Sequence, residues 1–249
     1  MNRELRQIPT RILTLAEGAL SQANTYAVYS DPGLEHREFM SVLSAAHARE
    51  LFLKAIIAKE HPLLIFKDIF LLDDSRAEKL DLNTLLQRGR THDFEKLPQI
   101  VWAVTGVRIP NSNCYERLRK VRNAVQHFVA PPDENLRSLS LEFIYTILDP
   151  LIHRHFNIYA IEHHEDPGVG YDYVVATLLR NNLKFSIPAD FHISEIDLEE
   201  EIRDASSAYR RWFASQLKEI AQACQQAVNG GPLLTPIDEQ REERIQHDI

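Results

Sequence analysis

Apolar positions recur at intervals of three and four over most of this 249-residue chain, the period of helices buried along one side. Ile12, Leu13, Leu15, Ala16, Ala19, Leu20 and Ala23 predict a first helix running to about Tyr26 or Tyr29, with Pro9 in its first turn. Asp31-Pro32-Gly33 signals a turn. Met40, Leu43, Ala46, Leu53 and Ile57 then mark the inward side of a second helix over about 35–59, stopped by His61-Pro62. The run 63–72 is strongly apolar but short, so a helix and a buried extended segment both fit it. A helix is expected over 77–87, broken by Gly89, and another over 93–104 with Gly106 as its stop.

Asn111, Ser112 or Asn113 can cap the next helix. There Leu118, Val121, Val125 and Phe128 form a buried stripe, and Pro131-Pro132 place the end near Val129 or Ala130. A further helix covers 136–156, interrupted or kinked at Pro150. A short helix is expected over 171–180 and an extended stretch over 184–187. Asp197 with Glu200 resembles a capping box that opens a helix to about Val228. At 1.5 Å per residue that helix would be ~45 Å long, a surface for the bundle or for a second subunit. With only eight glycines and few β-branched runs, the chain is predicted to be all-α. The expected divisions are a bundle over 1–160, a helical C-terminal extension over 161–235 and a charged tail over 236–249.

The polar face of the 118–129 segment carries the candidate chemistry. Arg117, Lys120, Arg122, Asn123, Gln126 and His127 share it. His127 falls in the last turn, where the helix dipole favours the imidazolium. A histidine titrating near neutrality, with an arginine nearby, suits general acid/base work on a phosphodiester. Arg122 can hold a phosphate with its planar fork, and Asn123 can position His127 or donate to a phosphoryl oxygen. On an ideal helix Arg122 and His127 stand about 140° apart, so one copy makes an incomplete site. Glu50 lies within the inward series of the second helix, where an unpaired carboxylate is costly. It either pairs with Lys54 at i,i+4 or crosses the bundle to orient Arg122 or His127.

Charge sharpens this picture. The net charge is −8, which argues against a nonspecific nucleic-acid coat protein. Between 88 and 127, however, Arg88, Arg90, Lys96, Arg108, Arg117, Arg119, Lys120 and Arg122 oppose only Asp93, Glu95 and Glu116. That island can focus a phosphate backbone, with Arg90, Arg117, Arg119 and Lys120 as candidate RNA contacts; it can equally be a solvated helix face. His153, His155, His163 and His164, with Glu162, Glu165 and Asp166, raise the question of a metal. Their spacing fits no ligand motif, so solvent-exposed histidines are expected and no metal is assigned. Cys114 and Cys224 are too few for a disulfide framework and fit a reducing interior. The absence of an apolar N-terminal region and of any ~20-residue apolar stretch points to a cytoplasmic protein without a membrane span.

Arg122-Asn123-Ala124-Val125-Gln126-His127 resembles the Arg-to-His motif of the HEPN superfamily (higher eukaryotes and prokaryotes nucleotide-binding). Ala46-His47-Ala48-Arg49-Glu50-Leu51-Phe52-Leu53-Lys54-Ala55 resembles the second helix of such domains, and Thr91-His92-Asp93-Phe94-Glu95-Lys96-Leu97 the start of the third. The likeness covers roughly the first 150 to 160 residues. It implies an up-and-down helical bundle and a metal-independent endoribonuclease without cofactor. It also implies a composite site at a two-fold homodimer interface, where Arg122 and His127 meet their symmetry mates. Stress response, toxin action or anti-phage defence would be the setting, with a regulatory protein partner left open. Some toxin members carry a tyrosine two residues after the histidine; Val129 stands there in this chain, which puts that route of regulation in doubt. The alternative expectation is a HEPN-like module that dimerises or binds RNA without cutting it.

Overall fold

The structure, a computed structural model, describes residues 3–29, 33–34, 36–69, 82–110, 112–127, 133–165 and 170–228. The fold is all-α; among the described residues the only β pairing is an isolated antiparallel bridge between Phe66 and Thr91. Residues 1–186 and 187–249 form two compact units, so the first unit runs beyond the division expected at 160.

In the first unit, α1 (Arg3–Val28) and α2 (His36–Glu60) pack along each other as a helical hairpin. Pro9 sits inside α1 rather than in its first turn. Its missing N–H removes one backbone hydrogen bond there, and the helix persists through its buried face of Leu5, Ile8, Ala16, Leu20 and Ala23. Buried Leu and Ile side chains each contribute about 1.5–3 kcal/mol. The last carbonyls of α1, at Ala27 and Val28, accept hydrogen bonds from the Arg137 guanidinium at 2.9 and 2.6 Å. A cation there also suits the negative helix end.

Helix α2 lies at the centre. It packs on α1, α4 (Leu97–Thr105), α5 (Ser112–Gln126) and α6 (Leu136–Phe143). Its burial is therefore not a single stripe: Ser41, Val42, Ala45, Ala48, Arg49, Phe52, Ala55 and Ile56 are buried together with the expected Ala46, Leu53 and Ile57. Small residues at 41, 44, 45, 46, 48, 55 and 58 let neighbours close in on several sides. Met40, expected inward, is 38 % exposed.

The ambiguous apolar run 63–72 begins as a 3₁₀ turn, Pro62–Ile65, and then pairs briefly through Phe66; its last residues lie outside the described set. Helix α3 (Leu82–Arg88) occupies the end of the helix expected over 77–87. Helix α4 starts four residues later than expected, because residues 94–96 form a turn and Pro98 sits at the helix start. It ends as expected: Gly106 adopts φ 70°, the left-handed region that glycine enters without penalty, and its N–H bonds the Trp102 carbonyl at 2.8 Å.

Pro150 acts one turn earlier than itself. Helix α6 passes into a π turn, Ile144–Leu148, before α7 (Asp149–Phe156). The Asp149 N–H reaches back to the Ile144 carbonyl, five residues away, and Pro150 needs no partner at all. The widened turn buries Tyr145 and Asp149 against the chain that follows. Tyr145 Oη donates to Asn24 Oδ1 at 3.0 Å, and Asn24 Nδ2 donates to the Ala160 and His163 carbonyls at 2.9 and 2.7 Å. Asp149 accepts from the N–H groups of Ala160 at 3.0 Å and Ser186 at 2.5 Å. These bonds tie Ala160, His163 and Ser186 to α1 and to the start of α7. Helix α8 (Asp172–Arg180) lies where the pattern placed it.

In the second unit the long helix expected over 197–228 is two helices, α9 (Leu198–Glu201) and α10 (Ser207–Val228). Asp197 caps α9 as predicted, accepting from the N–H groups of Glu199 at 2.9 Å and Glu200 at 3.3 Å. The break comes at Ser206, whose Oγ accepts from the Tyr209 N–H at 3.2 Å and so starts a new helix. The charged tail over 236–249 lies outside the described residues.

Candidate functional site

Helix α5 carries the candidate residues on a short amphipathic frame. Cys114, Tyr115, Leu118 and Val121 are buried, which fixes the rotation of the helix and turns the intervening polar positions outward. The Cys114 thiol is buried and outside any disulfide, and desolvation pushes its pKa up to about 12, so it is no nucleophile. The last helical residue is Gln126. His127 follows in a turn, its N–H bonded to the Asn123 and Ala124 carbonyls at 3.3 and 3.0 Å. The helix thus ends before the expected Val129 or Ala130, both outside the described residues, as is Phe128 of the predicted stripe and the candidate cap Asn111.

Arg122 and Asn123 are brought together. Both are half-buried, and Arg122 Nη1 donates to Asn123 Oδ1 at 3.1 Å. That bond occupies the Asn123 carbonyl and leaves its amide to donate. Gln126, His127 and Lys120 are exposed, with no side-chain hydrogen bond or ion pair among the described residues. His127 does not meet Arg122 within this chain.

Three other candidates change role. Arg117 forms ion pairs with Glu134 at 2.7 Å and Glu142 at 3.0 Å, joining α5 to α6 and the segment before it. Arg119 pairs with Glu95 at 2.8 Å and Glu116 at 2.9 Å. Their charges are largely spent inside the protein, which narrows the basic island. Glu50 takes the local option: Lys54 Nζ lies 2.6 Å from its Oε1, so it does not orient Arg122 or His127. Arg90 is exposed on the segment leading to Phe94, away from α5 in sequence and without an ion pair among the described residues.

The residue that sequence reasoning passed over is Arg49. It is 1 % exposed, and its guanidinium carbon lies 3.5 Å from the centroid of Phe94 and 3.6 Å from that of Tyr115. The two rings are 6.4 Å apart and inclined by 29°, so the guanidinium fills the space between them. Its Nη2 donates to the Phe94 carbonyl at 3.1 Å, and its Nε is buried without a partner. Desolvation pushes the Arg49 pKa down to about 8; Glu50 and Glu116 oppose the shift, while Arg122 and Arg119 add to it. It remains cationic at neutral pH. The Arg122 guanidinium lies 5.4 Å from the same Phe94 ring, so two arginines share one aromatic ring with no carboxylate on either among the described residues. Such a pair favours an anion beside the outer, half-buried member. The signal in the sequence was the ring of small residues around position 49, which marks a helix enclosed on several sides.

The histidine cluster is half-buried rather than exposed. Burial lowers the pKa values of His153, His155 and His163; Arg154 and Lys59 add to the shift at His155, and His164 to that at His163. Among the described residues no group of His, Cys, Asp and Glu is arranged to hold a metal ion. Asp166 is outside them. No described helix is long and apolar enough to cross a membrane.

No protein-family model matches this chain, and neither curated proteins nor solved structures yield a match.

Proposed function

We propose that the protein is a metal-independent endoribonuclease of HEPN type, in which two copies of α5 face each other and complete one site. The observation that carries this reading is the pairing of Arg122 with Asn123 on the Phe94 ring, with an exposed His127 at the end of the same helix whose side chain has no hydrogen bond or ion pair among the described residues. Arg122 would hold the scissile phosphate, its charge unspent and reinforced by Arg49 behind the ring. One His127 takes the proton of the 2′-OH as that oxygen attacks phosphorus. The His127 of the second copy protonates the departing 5′ oxygen, leaving a 2′,3′-cyclic phosphate and a 5′-hydroxyl. Lys120 lies on the same helix as a further phosphate contact. A cytoplasmic role in stress response or defence is part of this proposal, as is control by a protein partner.

The test is incubation with structured RNA in excess EDTA, beside Arg122→Ala and His127→Ala variants, with sedimentation to read the oligomer. Cleavage to cyclic phosphate, lost in both variants, is the expected result. Cleavage that persists in His127→Ala overturns the assignment. The second reading, a module that binds RNA or dimerises without cutting, draws on the internal neutralisation of Arg117 and Arg119. Binding without cleavage would favour it.

A further inference from the structure

We propose that the concavity between α4 and α5 is a subsite for an unpaired nucleobase of single-stranded RNA, with Trp102 as its stacking platform. This inference rests on the reading of α5 as an RNA-facing surface and adds a place where the RNA is read.

Trp102 is 52 % exposed, the largest side chain among the exposed hydrophobic ones of the described residues. Flat exposed aromatics are the surfaces on which unstacked bases settle. The local chain is built to keep it in a walled site. Gly106 turns the backbone back at the end of α4, and Thr105 Oγ1 accepts from the Val107 N–H at 3.1 Å to hold that turn. The return brings the Arg108 guanidinium to 5.9 Å from the Trp102 ring centroid. Pro98, Ile109 and Tyr115 complete the walls of a space of about 310 Å³. A largely apolar space edged by the Arg108 guanidinium, the Gln99 amide and the Glu116 carboxylate suits a flat ring with donors and acceptors on its rim.

The same wall leads to the candidate phosphate site. Tyr115 stacks on Phe94 with Arg49 between them, and Arg122 reaches Phe94 from α5. Trp102 and Tyr115 thus line one space, and the other side of Tyr115 belongs to the Arg49–Phe94 stack on which Arg122 rests. The acidic residue on the rim, Glu116, is neutralised by Arg119. A polyanion carrying unpaired flat rings fits both halves; an acidic or apolar peptide fits one.

The chain has two tryptophans, so Trp212→Phe leaves Trp102 as the single tryptophan, read selectively by excitation at the red edge where tyrosine does not absorb. The full chain with that change is titrated with short oligoadenylate and with an abasic ribose-phosphate oligomer of the same length. Saturable quenching by the oligoadenylate alone is expected. Trp102→Ala, read by fluorescence anisotropy of labelled RNA, should weaken binding about tenfold, while Trp102→Phe retains most of it. Arg108→Ala should weaken it and reduce its salt dependence. Equal response to the base-bearing and abasic oligomers overturns the proposal, as does unchanged RNA affinity in Trp102→Ala or saturation only by a peptide. The two readings fail separately. RNA cleavage with affinity indifferent to Trp102 removes the subsite and leaves the nuclease; Trp102-dependent binding without cleavage does the reverse.

Discussion

The guanidinium of Arg49 lies 3.5 Å above the Phe94 ring and bonds the carbonyl of the same residue at 3.1 Å, so one side chain holds both the plane and the backbone of another. Phe94 is in turn the ring on which Arg122 rests. A cation enclosed at the centre of α2 thereby fixes the surface that faces the candidate substrate.

Arg49→Met keeps the length of the side chain and removes a buried charge that has no carboxylate partner. Replacing buried charge by an apolar side chain of similar size is often neutral or stabilising, so this variant should fold with a midpoint at or above the parent's in urea. Its RNA affinity should fall several-fold, since the field behind Arg122 is weakened. Arg49→Ala should instead lose roughly 3 kcal/mol of stability through the void between the rings. Denaturation beside RNA titration separates the two effects; unchanged RNA affinity in the Met variant would show Arg49 to be packing alone.

Asp149 gives a pH dependence of defined sign. Burial pushes its carboxyl up to about 6 against the hydrogen bonds from Ala160 and Ser186, which pull it down. Because the folded state holds this proton more tightly, its stabilising contribution is complete below the ordinary carboxylate range and is lost as pH rises through about 6. The histidines run the other way: His153, His155 and His163 lie below their ordinary value, so their contribution is present above about 6.5 and is lost as pH falls through their lowered values. Asp149→Asn isolates the first effect. Relative to the parent, this variant should gain about 2–3 kcal/mol between pH 4 and pH 7. Thermal melts across that range check it, and a constant difference would contradict it.

Gly89 is a packing glycine. A Cβ there would stand 2.4 Å from the Leu85 carbonyl oxygen and 2.7 Å from the Phe66 ring. The oxygen is backbone and cannot step aside. Gly89→Ala should cost at least about 1–3 kcal/mol in chemical denaturation. The strain falls where Lys67 bonds the Arg90 carbonyl and Phe66 bridges Thr91, the segment that delivers Phe94. A variant as stable as the parent would contradict the close approach.

The repeating apolar positions marked most of the helices and the burial of Leu118 and Val121 on α5, and single residues marked the Gly106 stop and the Asp197 cap, because these depend on neighbours within a turn or two. Tertiary structure decided what each polar side chain was for. Glu50 had two possible partners and took the nearer one, four residues along its own helix. Arg117 and Arg119 read as free cations until Glu134, Glu142 and Glu95 came within reach from other segments. Arg49 drew no assignment from the apolar period, because that period marks only one side of a helix; α2 is packed on several sides, and the rings of Phe94 and Tyr115 come from distant parts of the chain. Pro150 announced a bend, whereas the π turn before it follows from burying Tyr145 and Asp149 together. A sequence states which groups are present and how they repeat. Which of them keep their charge for a ligand is settled only when the chain has brought the opposing charges together.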